Sequence, residues 1–297
     1  MNQDNEVLVT IGIPFYNCEK YLAYAIQSVI NQSYENWELI LLDDGSTDSS
    51  LSIANSFMDK RIYVVSDGTN KGLIHRLNQI TVMAKGKYYA RMDADDIMQV
   101  ERIARQVSFL NSHLEVDLVG SSYFSIDSQN QILGRTDINP SPKTVESILE
   151  KGCFAHPSLM GHLTWFKKNK YDIAWERMED FELWMRTVSN SNFVNISEPL
   201  LFYRNVGIPS IKKYIKSNLG IIKLLQYRKK YSISIRASFY YTSIYLLKIS
   251  VYLLFFCAGK IDFLLKKRSH SIPEYEKQTA QEMLLKSILI SQNKLIS

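Results

Sequence analysis

The sequence predicts a doubly wound, mostly parallel α/β sheet with helices on both faces, followed by a helical, membrane-associated C-terminal extension. Three observations predict it. Short apolar runs alternate with helix-period segments through roughly the first 120 residues. Polar and acidic clusters fall where three of those runs end, and beyond Ile208-Pro209 the composition turns basic and apolar. Strands alternating with helices of about 10 to 12 residues form parallel sheets. Such sheets bind ligands at the carboxyl ends of their strands.

The elements follow in order. Val7 to Pro14 reads as a strand, and Tyr21 to Asn31 has helical spacing through Tyr21, Ala25 and Val29. Trp37 to Leu42 is a second strand, ending on acids and the turn Gly45-Ser46. Asp48 to Phe57 reads as a helix, Ile62 to Ser66 as a strand, and Leu73 to Met83 as a helix. Tyr88 to Met92 is a fourth strand, and a helix runs from about Val100 to Asn111. Beyond Leu118 the pattern loosens. Val119 to Asp127 and Ile132 to Thr136 suit a hairpin, Pro142 to Lys151 a short helix begun by proline, and Asp180 to Ser189 a further helix. Phe193 to Ile196 and Leu200 to Tyr203 read as two short strands. The composition change sets the domain boundary, dividing 1–208 from 209–297.

With 46% apolar and 22% charged residues the balance is globular. Cys18, Cys153 and Cys257 fit no metal or redox spacing, so free thiols in a reducing compartment are expected. The polar, acidic Met1-Asn-Gln-Asp-Asn-Glu6 lacks the pattern of a secretion signal, which points to the cytoplasm. The net charge is +5, yet Lys212 to Arg268 holds thirteen Lys/Arg against Asp262 alone. That local +12 leaves −7 for the rest of the chain. A basic, apolar tail suggests an anionic surface as partner, and nucleic acid is not expected.

Ala237 to Ala258 carries one charge, Lys248, between basic flanks. Its length just suffices for a bilayer, but a charge in mid-span favours a helix lying in the membrane interface. The predicted membrane surface is therefore 228–268, with Ser243, Ser250 and Cys257 as a less apolar stripe. The closing helix, Tyr275 to Ile296, is expected to fold back on this segment.

The chemistry centres on Arg91-Met-Asp93-Ala-Asp95-Asp96. In extended backbone Asp93 and Asp95 point the same way, within reach of one hard cation such as Mg²⁺ or Mn²⁺. A helix start explains the same acids equally well. The loop after the first strand has no Gly-x-Gly-x-x-Gly, which argues against a dinucleotide dehydrogenase.

Several stretches together resemble family 2 glycosyltransferases. They are Ile11-Gly-Ile-Pro14-Phe-Tyr16-Asn17, Leu42-Asp43-Asp44-Gly45-Ser46, Asn70-Lys71-Gly72-Leu73, Arg91 to Asp96, Met178-Glu179-Asp180-Phe181, and Glu198 to Arg204. The resemblance spans Val7 to Arg204 and implies the GT-A fold, with a nucleotide-binding half of about 1–120 and an acceptor half of about 121–208. It implies that Pro14, Tyr16 and Asn17 line the nucleotide pocket, with Tyr16 stacking on the base and Asp44 accepting a hydrogen bond from it. Lys71 or Arg76 would meet the diphosphate. Asp95 would be the main metal ligand, Asp93 a contact to ribose or metal, and Asp180 the general base, with Glu179 as rival. A base at a helix N-terminus would be kept ionised by the helix dipole.

The implied activity is inverting transfer from a nucleotide-diphosphate sugar, UDP-sugar favoured, to a hydroxyl of a glycan or lipid-linked acceptor. The setting would be bacterial surface polysaccharide assembly at the inner face of the cell membrane. The family's histidine after Tyr203-Arg204 is missing, and His156 has a packing role or sits near the acceptor. The alternatives are a non-catalytic nucleotide-binding or membrane scaffold protein with the same fold, and a nucleotidyltransferase. The latter's glycine-rich, arginine-containing loop is absent here.

Overall fold

The structure is a computed structural model that describes residues 7–136, 138, 142–205, 211–260 and 271–289. Four parallel strands form its first half: β1 (Val9–Phe15), β2 (Trp37–Asp43), β3 (Ile62–Ser66) and β4 (Tyr88–Arg91). Helices α1 (Leu22–Ile30), α2 (Ser50–Asn55) and α3 (Leu73–Met83) connect them. β1 and β2 are buried at every position, as central parallel strands covered on both faces must be.

The second half departs from a purely parallel sheet. The remaining strands are β5 (Ile97–Met98), β6 (Leu118–Ile126), β7 (Ile132–Thr136), β8 (Met160–His162) and β9 (Phe193–Arg204). Helix α4 (Arg102–Ser112) separates β5 from β6. The nine-stranded sheet runs β3-β2-β1-β4-β8-β6-β9-β5, with β7 paired to β6 as the predicted hairpin. β8 is antiparallel to both β4 and β6, whereas β6 and β9 are parallel.

Two local expectations are corrected here. The two short strands are one, β9, whose register against β6 shifts around Ser121 to Tyr123, opposite Ile196 and Pro199. Proline cannot donate to a ladder, so the strand bulges there and resumes. Helix α5 (Val145–Lys151) is begun by Thr144, whose hydroxyl accepts from Ser147 N at 3.1 Å, and Pro142 lies outside it. Helices α6 (Leu163–Lys168) and α7 (Glu179–Thr187) complete this half.

The C-terminal helices join these layers. α8 (Ile211–Gln226) packs on α9 (Ile235–Cys257), and Tyr214 stacks on Tyr252 with ring centroids 3.8 Å apart. Leu224, Leu225, Tyr231, Ile233, Tyr241 and Tyr245 belong to one apolar cluster with Trp184 and Phe193. Tyr241 donates to Glu150 at 2.8 Å, and Tyr245 to the Leu149 carbonyl at 2.9 Å. Only 22% of the apolar stretch of α9 is buried. The side on the domain is the tyrosine row 241, 245 and 252, so Ser243, Ser250 and Cys257 face outward among Phe239, Leu246, Leu247, Leu253 and Leu254. Lys248 lies against the ring of Tyr245, 4.2 Å from its centroid, beside the docked face.

The closing helix, α10 (Glu274–Ile288), does not fold back on α9 as expected; it packs on α1, β5 and β7. Ala280 and Leu284 are fully buried in a cluster with Ile97, Phe124, Ile126, Ile132 and Phe202. Asn31 Nδ2 donates to the carbonyls of Ser287 and Leu289 at 2.9 and 2.8 Å, closing the end of the helix. The apolar positions of α10 match this pocket. The final residues of the expected helix lie outside the described residues.

Candidate active site

The loops after β1 and β2 are zipped together at the carboxyl edge of the sheet. Asn17, in the left-handed region at φ 48°, donates from its N–H to Ser46 Oγ at 3.1 Å. Its side-chain oxygen accepts from Thr47 N at 2.8 Å. Cys18 N donates to Ser50 Oγ at 2.7 Å. Pro14 is buried at the end of β1, while Tyr16 stands 48% exposed on the loop, free to meet a planar ligand. Gly45 holds φ 74°, and a Cβ there would meet the Thr69 carbonyl carbon at 2.8 Å. Burial pushes the Cys18 thiol up to about 12, so it is no nucleophile.

Asp44 is held from three sides. It accepts from Lys71 N at 2.8 Å, Gly72 N at 3.0 Å and Arg76 Nε at 2.8 Å. Arg76 is 0% exposed, and its other nitrogens reach Asp67, the Thr69 carbonyl and Gln79. The expectation that Arg76 meets a diphosphate is corrected: its guanidinium is spent on internal partners and positions Asp44. Lys71 pairs through Nζ with Asp67 at 2.6 Å on the more open side.

The acidic motif is not extended as the sequence suggested. Asp96 N donates to the Asp93 carbonyl at 3.4 Å, a turn that brings in a third carboxylate. Ligand atoms of Asp93, Asp95 and Asp96 lie within 4.8 Å of one another. Arg91 Nη2 contacts Asp93 closely. Asp96 is 1% exposed; its Oδ1 accepts from Arg204 N at 2.8 Å, and its Oδ2 has no partner among the described residues. Burial, and then the Asp93 charge, raise the carboxyls of Asp95 and Asp96 above the usual range. Three crowded carboxylates, one with a buried unpartnered oxygen, fit a hard divalent cation.

Arg204 organises this turn. Its Nε donates to the Asp95 carbonyl at 2.6 Å and its Nη1 to the Asp127 carbonyl at 2.7 Å. The guanidinium lies 4.1 Å from the ring centroid of Tyr21. The arginine before the missing histidine thus braces the acidic turn through its backbone.

Glu179 and Asp180 open α7. Asp180 Oδ1 accepts from Phe181 N at 2.7 Å. The helix dipole does not decide their charge: burial, then Asp180, raises Glu179 to about 7, and burial raises Asp180 as well. Taking a carboxylate out of water outweighs the favourable helix end. His156 Nε2 is 2.8 Å from the Tyr171 hydroxyl and is held neutral by burial and then by Arg91.

Two cavities meet at this acid pair. One, of about 490 Å³, is lined by Arg91, Asp93, Tyr123, Ser125, Glu179 and Asp180 among others. The other, of about 780 Å³, is bounded by Lys71, His75, Arg177, Ser217 of α8, and the same Glu179 and Asp180. Gly220 of α8 lies so close to Met178 that a Cβ there would come within 2.6 Å of its Cγ. The docking of α8 is therefore keyed to the residue before the acid pair.

The fold and the site's chemistry define a sugar transferase of the GT-A class. The chain belongs to glycosyl transferase family 2, whose model matches residues 10–172. It is 38% identical over 193 residues to the putative glycosyltransferase EpsE of Bacillus subtilis, covering 63% of this chain and 68% of that one. It is 28% identical over 196 residues to WfgD of Escherichia coli, a UDP-Glc:alpha-D-GlcNAc-diphosphoundecaprenol beta-1,3-glucosyltransferase, covering 65% and 74%. The mannosyltransferase PcManGT of Pyrobaculum calidifontis, solved with GDP-Man and Mn²⁺, superposes with a TM-score of 0.56 at 14% identity, covering 96% of this chain and 86% of that one.

The sequence singled out Asp93, Asp95, Glu179 and Asp180, and the first of these lines one cavity with the acid pair. It missed Arg91, Ser125 and the part played by Asp96. A buried arginine closing an otherwise apolar strand, Tyr88-Tyr-Ala-Arg91, was the available signal.

Proposed function

We propose that this glycosyltransferase moves a sugar from a UDP-sugar to a hydroxyl of a lipid-linked or glycan acceptor, with inversion, at the inner face of a membrane. One observation carries the reading: Asp93 of the acidic turn and the Glu179–Asp180 pair face a single cavity. Asp95, with Asp93 and Asp96, would hold Mn²⁺ or Mg²⁺. When bound, the ion neutralises charge on the donor diphosphate and makes it a better leaving group.

The chain's own residues supply the rest. Tyr16 stacks on the base, with Pro14 and Asn17 beneath it, and Asp44 receives the base edge while Arg76 fixes its carboxylate. Lys71 lies nearest the diphosphate. Asp180 takes the acceptor hydroxyl's proton as that oxygen attacks the anomeric carbon. The bond from that carbon to the diphosphate oxygen breaks, its electron pair leaves with the nucleotide, and the anomeric configuration inverts. Glu179, beside Asp180 at the start of the same helix and lining the same cavity, is the rival for the role of base. UDP rather than GDP rests on the named activity of WfgD.

The sheet and its helices, covered by α10, are the catalytic body, and α9 is the element that meets the membrane. The outward face of α9 is apolar from Phe239 to Phe256, with the exposed Lys248 at its edge over Tyr245 and Arg236 and Lys260 near its ends. That pattern suits a helix lying in the headgroup region. An acceptor carried on a lipid would be met there, in a cell-surface polysaccharide pathway.

Calorimetry with UDP, GDP and dTDP, with and without Mn²⁺, tests the reading. Metal-dependent binding of UDP that disappears in Asp95→Ala, with turnover lost by orders of magnitude in Asp180→Asn, is expected. No metal-dependent binding of any of the three would leave a scaffold that has kept the fold.

A further inference from the structure

The chain from Asp172 to Met178, just before α7, is neither helix nor strand. Two successive turns carry it, closed by Trp175 N donating to the Asp172 carbonyl at 3.1 Å and Met178 N to the Trp175 carbonyl at 2.9 Å. Within the second turn Arg177 sits in the left-handed region at φ 68°. A non-glycine residue keeps that conformation only where its surroundings over-determine it. Glu179 and Asp180 follow directly, so whatever fixes these turns fixes the acid pair.

The surroundings come from α8 and the loop after it. Trp175 is buried edge-on against Tyr227, with ring centroids 5.7 Å apart, and Lys223 Nζ stands 5.1 Å from its ring. Met178, also buried, meets Gly220 at a distance that leaves no room for a Cβ. Glu182, one turn into α7, is fully buried, and its Oε1 accepts from Lys230 Nζ at 3.0 Å and from the Tyr231 hydroxyl at 3.1 Å. Arg186 Nε, at 3.0 Å from the same oxygen, comes from α7 itself. Arg186 ties α7 to the Lys170 carbonyl at 2.8 Å, whereas Lys230 and Tyr231 tie it to the α8–α9 loop.

These contacts differ in weight. Lys216–Glu176 at 3.9 Å and Lys230–Asp172 at 3.7 Å are exposed ion pairs, weakened by water and salt. Glu182 is different, because a carboxylate taken out of water needs its partners. Stripped of two of them, it is relieved only by a shift of the first turn of α7 toward solvent. That turn carries Glu179 and Asp180.

We infer that Gly220, Lys230 and Tyr231 are positioning residues for the transfer reaction. They hold the 172–182 segment so that Glu179 and Asp180 stay at the wall shared by the two cavities. The hairpin that leads into α9 therefore sets the geometry of the acid pair, and does so with no membrane present. The inference rests on the reading of Asp180 as the base.

Kinetics on the full chain in membrane-free solution test it, following Mn²⁺-dependent release of UDP from UDP-glucose, UDP-galactose and UDP-N-acetylglucosamine with water as acceptor. With the fastest of these donors, the double variant Lys230→Met, Tyr231→Phe should lower kcat about a hundredfold and Gly220→Ala about tenfold, because small displacements of a reacting group suffice. KM for the donor and Kd for UDP should change less than about twofold, since Asp44 and Asp95 are held by other elements. Lys230→Arg alone, which keeps a donor on Glu182, should retain most of kcat. Hydrogen exchange gives a second readout: amides 176–182 should exchange about tenfold faster in both variants, and those of β1 and β2 at an unchanged rate. Exchange needs no substrate and decides by itself where none of the three donors is turned over. Unchanged exchange, unchanged kcat, or a loss of UDP affinity equal to the loss of kcat would overturn the inference. Full kcat in Asp180→Asn would instead overturn the reading of the base on which it stands.

Discussion

Glu179→Gln should stabilise the protein, and by an amount that depends on pH. Glu179 is 8% exposed, has an unpartnered oxygen, and is raised from 4.5 to about 7 by burial and by Asp180. The folded state therefore holds this proton more tightly than the unfolded chain does. Its contribution to stability is complete below pH 4.5 and is lost as the pH rises through about 7. At about 1.36 kcal/mol for each factor of ten, the interval from 4.5 to about 7 corresponds to about 3 kcal/mol. Glutamine mimics the protonated acid at every pH. The variant should match the wild type at pH 4.5 and exceed it by up to about 3 kcal/mol at pH 8. For a chain of this size that is roughly 6 °C in Tm. Thermal melts of both proteins from pH 4.5 to 8 supply the test. A constant difference across that range would refute the assignment of a buried, raised Glu179.

Three further outcomes follow from contacts already described. Arg76→Ala strips Asp44 of its buried partner and should cost about 3–5 kcal/mol in urea denaturation, with Arg76→Lys recovering only part of the loss. Arg204→Ala removes the brace under Asp95 and Asp96; we expect a loss of about 2–4 kcal/mol by thermal melting and at least tenfold weaker Mn²⁺-dependent UDP binding by calorimetry. Replacing Leu246, Leu247, Leu253 and Leu254 together by serine should release the chain from anionic vesicles in flotation assays, while UDP affinity stays within twofold.

The parallel half was legible because each of its strands is an apolar run closed by polar residues, and the edge where ligands bind could be read from those closures. The other half was not. β8 is three residues long and draws its place between β4 and β6 from partners distant in sequence. β9 conceals its continuity behind Pro199, where a bulge keeps the strand going. The acid cluster was found by its spacing, but alternation describes a strand, and the Asp93–Asp96 turn adds Asp96 by a different geometry. The ionisation of Glu179 was misjudged because a helix end is visible in sequence and desolvation is not. Arg76 drew attention as a cation in a motif, whereas only tertiary structure shows that Asp44 and Asp67 already occupy it. The apolar spacing of α10 announced a partner without saying whether α9 or the β5 edge would be that partner.

The clip formed by α10 has a temporal consequence. Ile97 and Phe202 flank the acidic turn and its arginine brace, and they are covered by Ala280 and Leu284. On a ribosome adding about 5–20 residues per second, Leu284 is made roughly 4–16 s after Phe202. During that interval the catalytic body has its strands but not its cover, and an apolar patch stands open beside the acidic turn. A nascent chain thus keeps that patch open until the clip is made, and the clip is made only after α8 and α9.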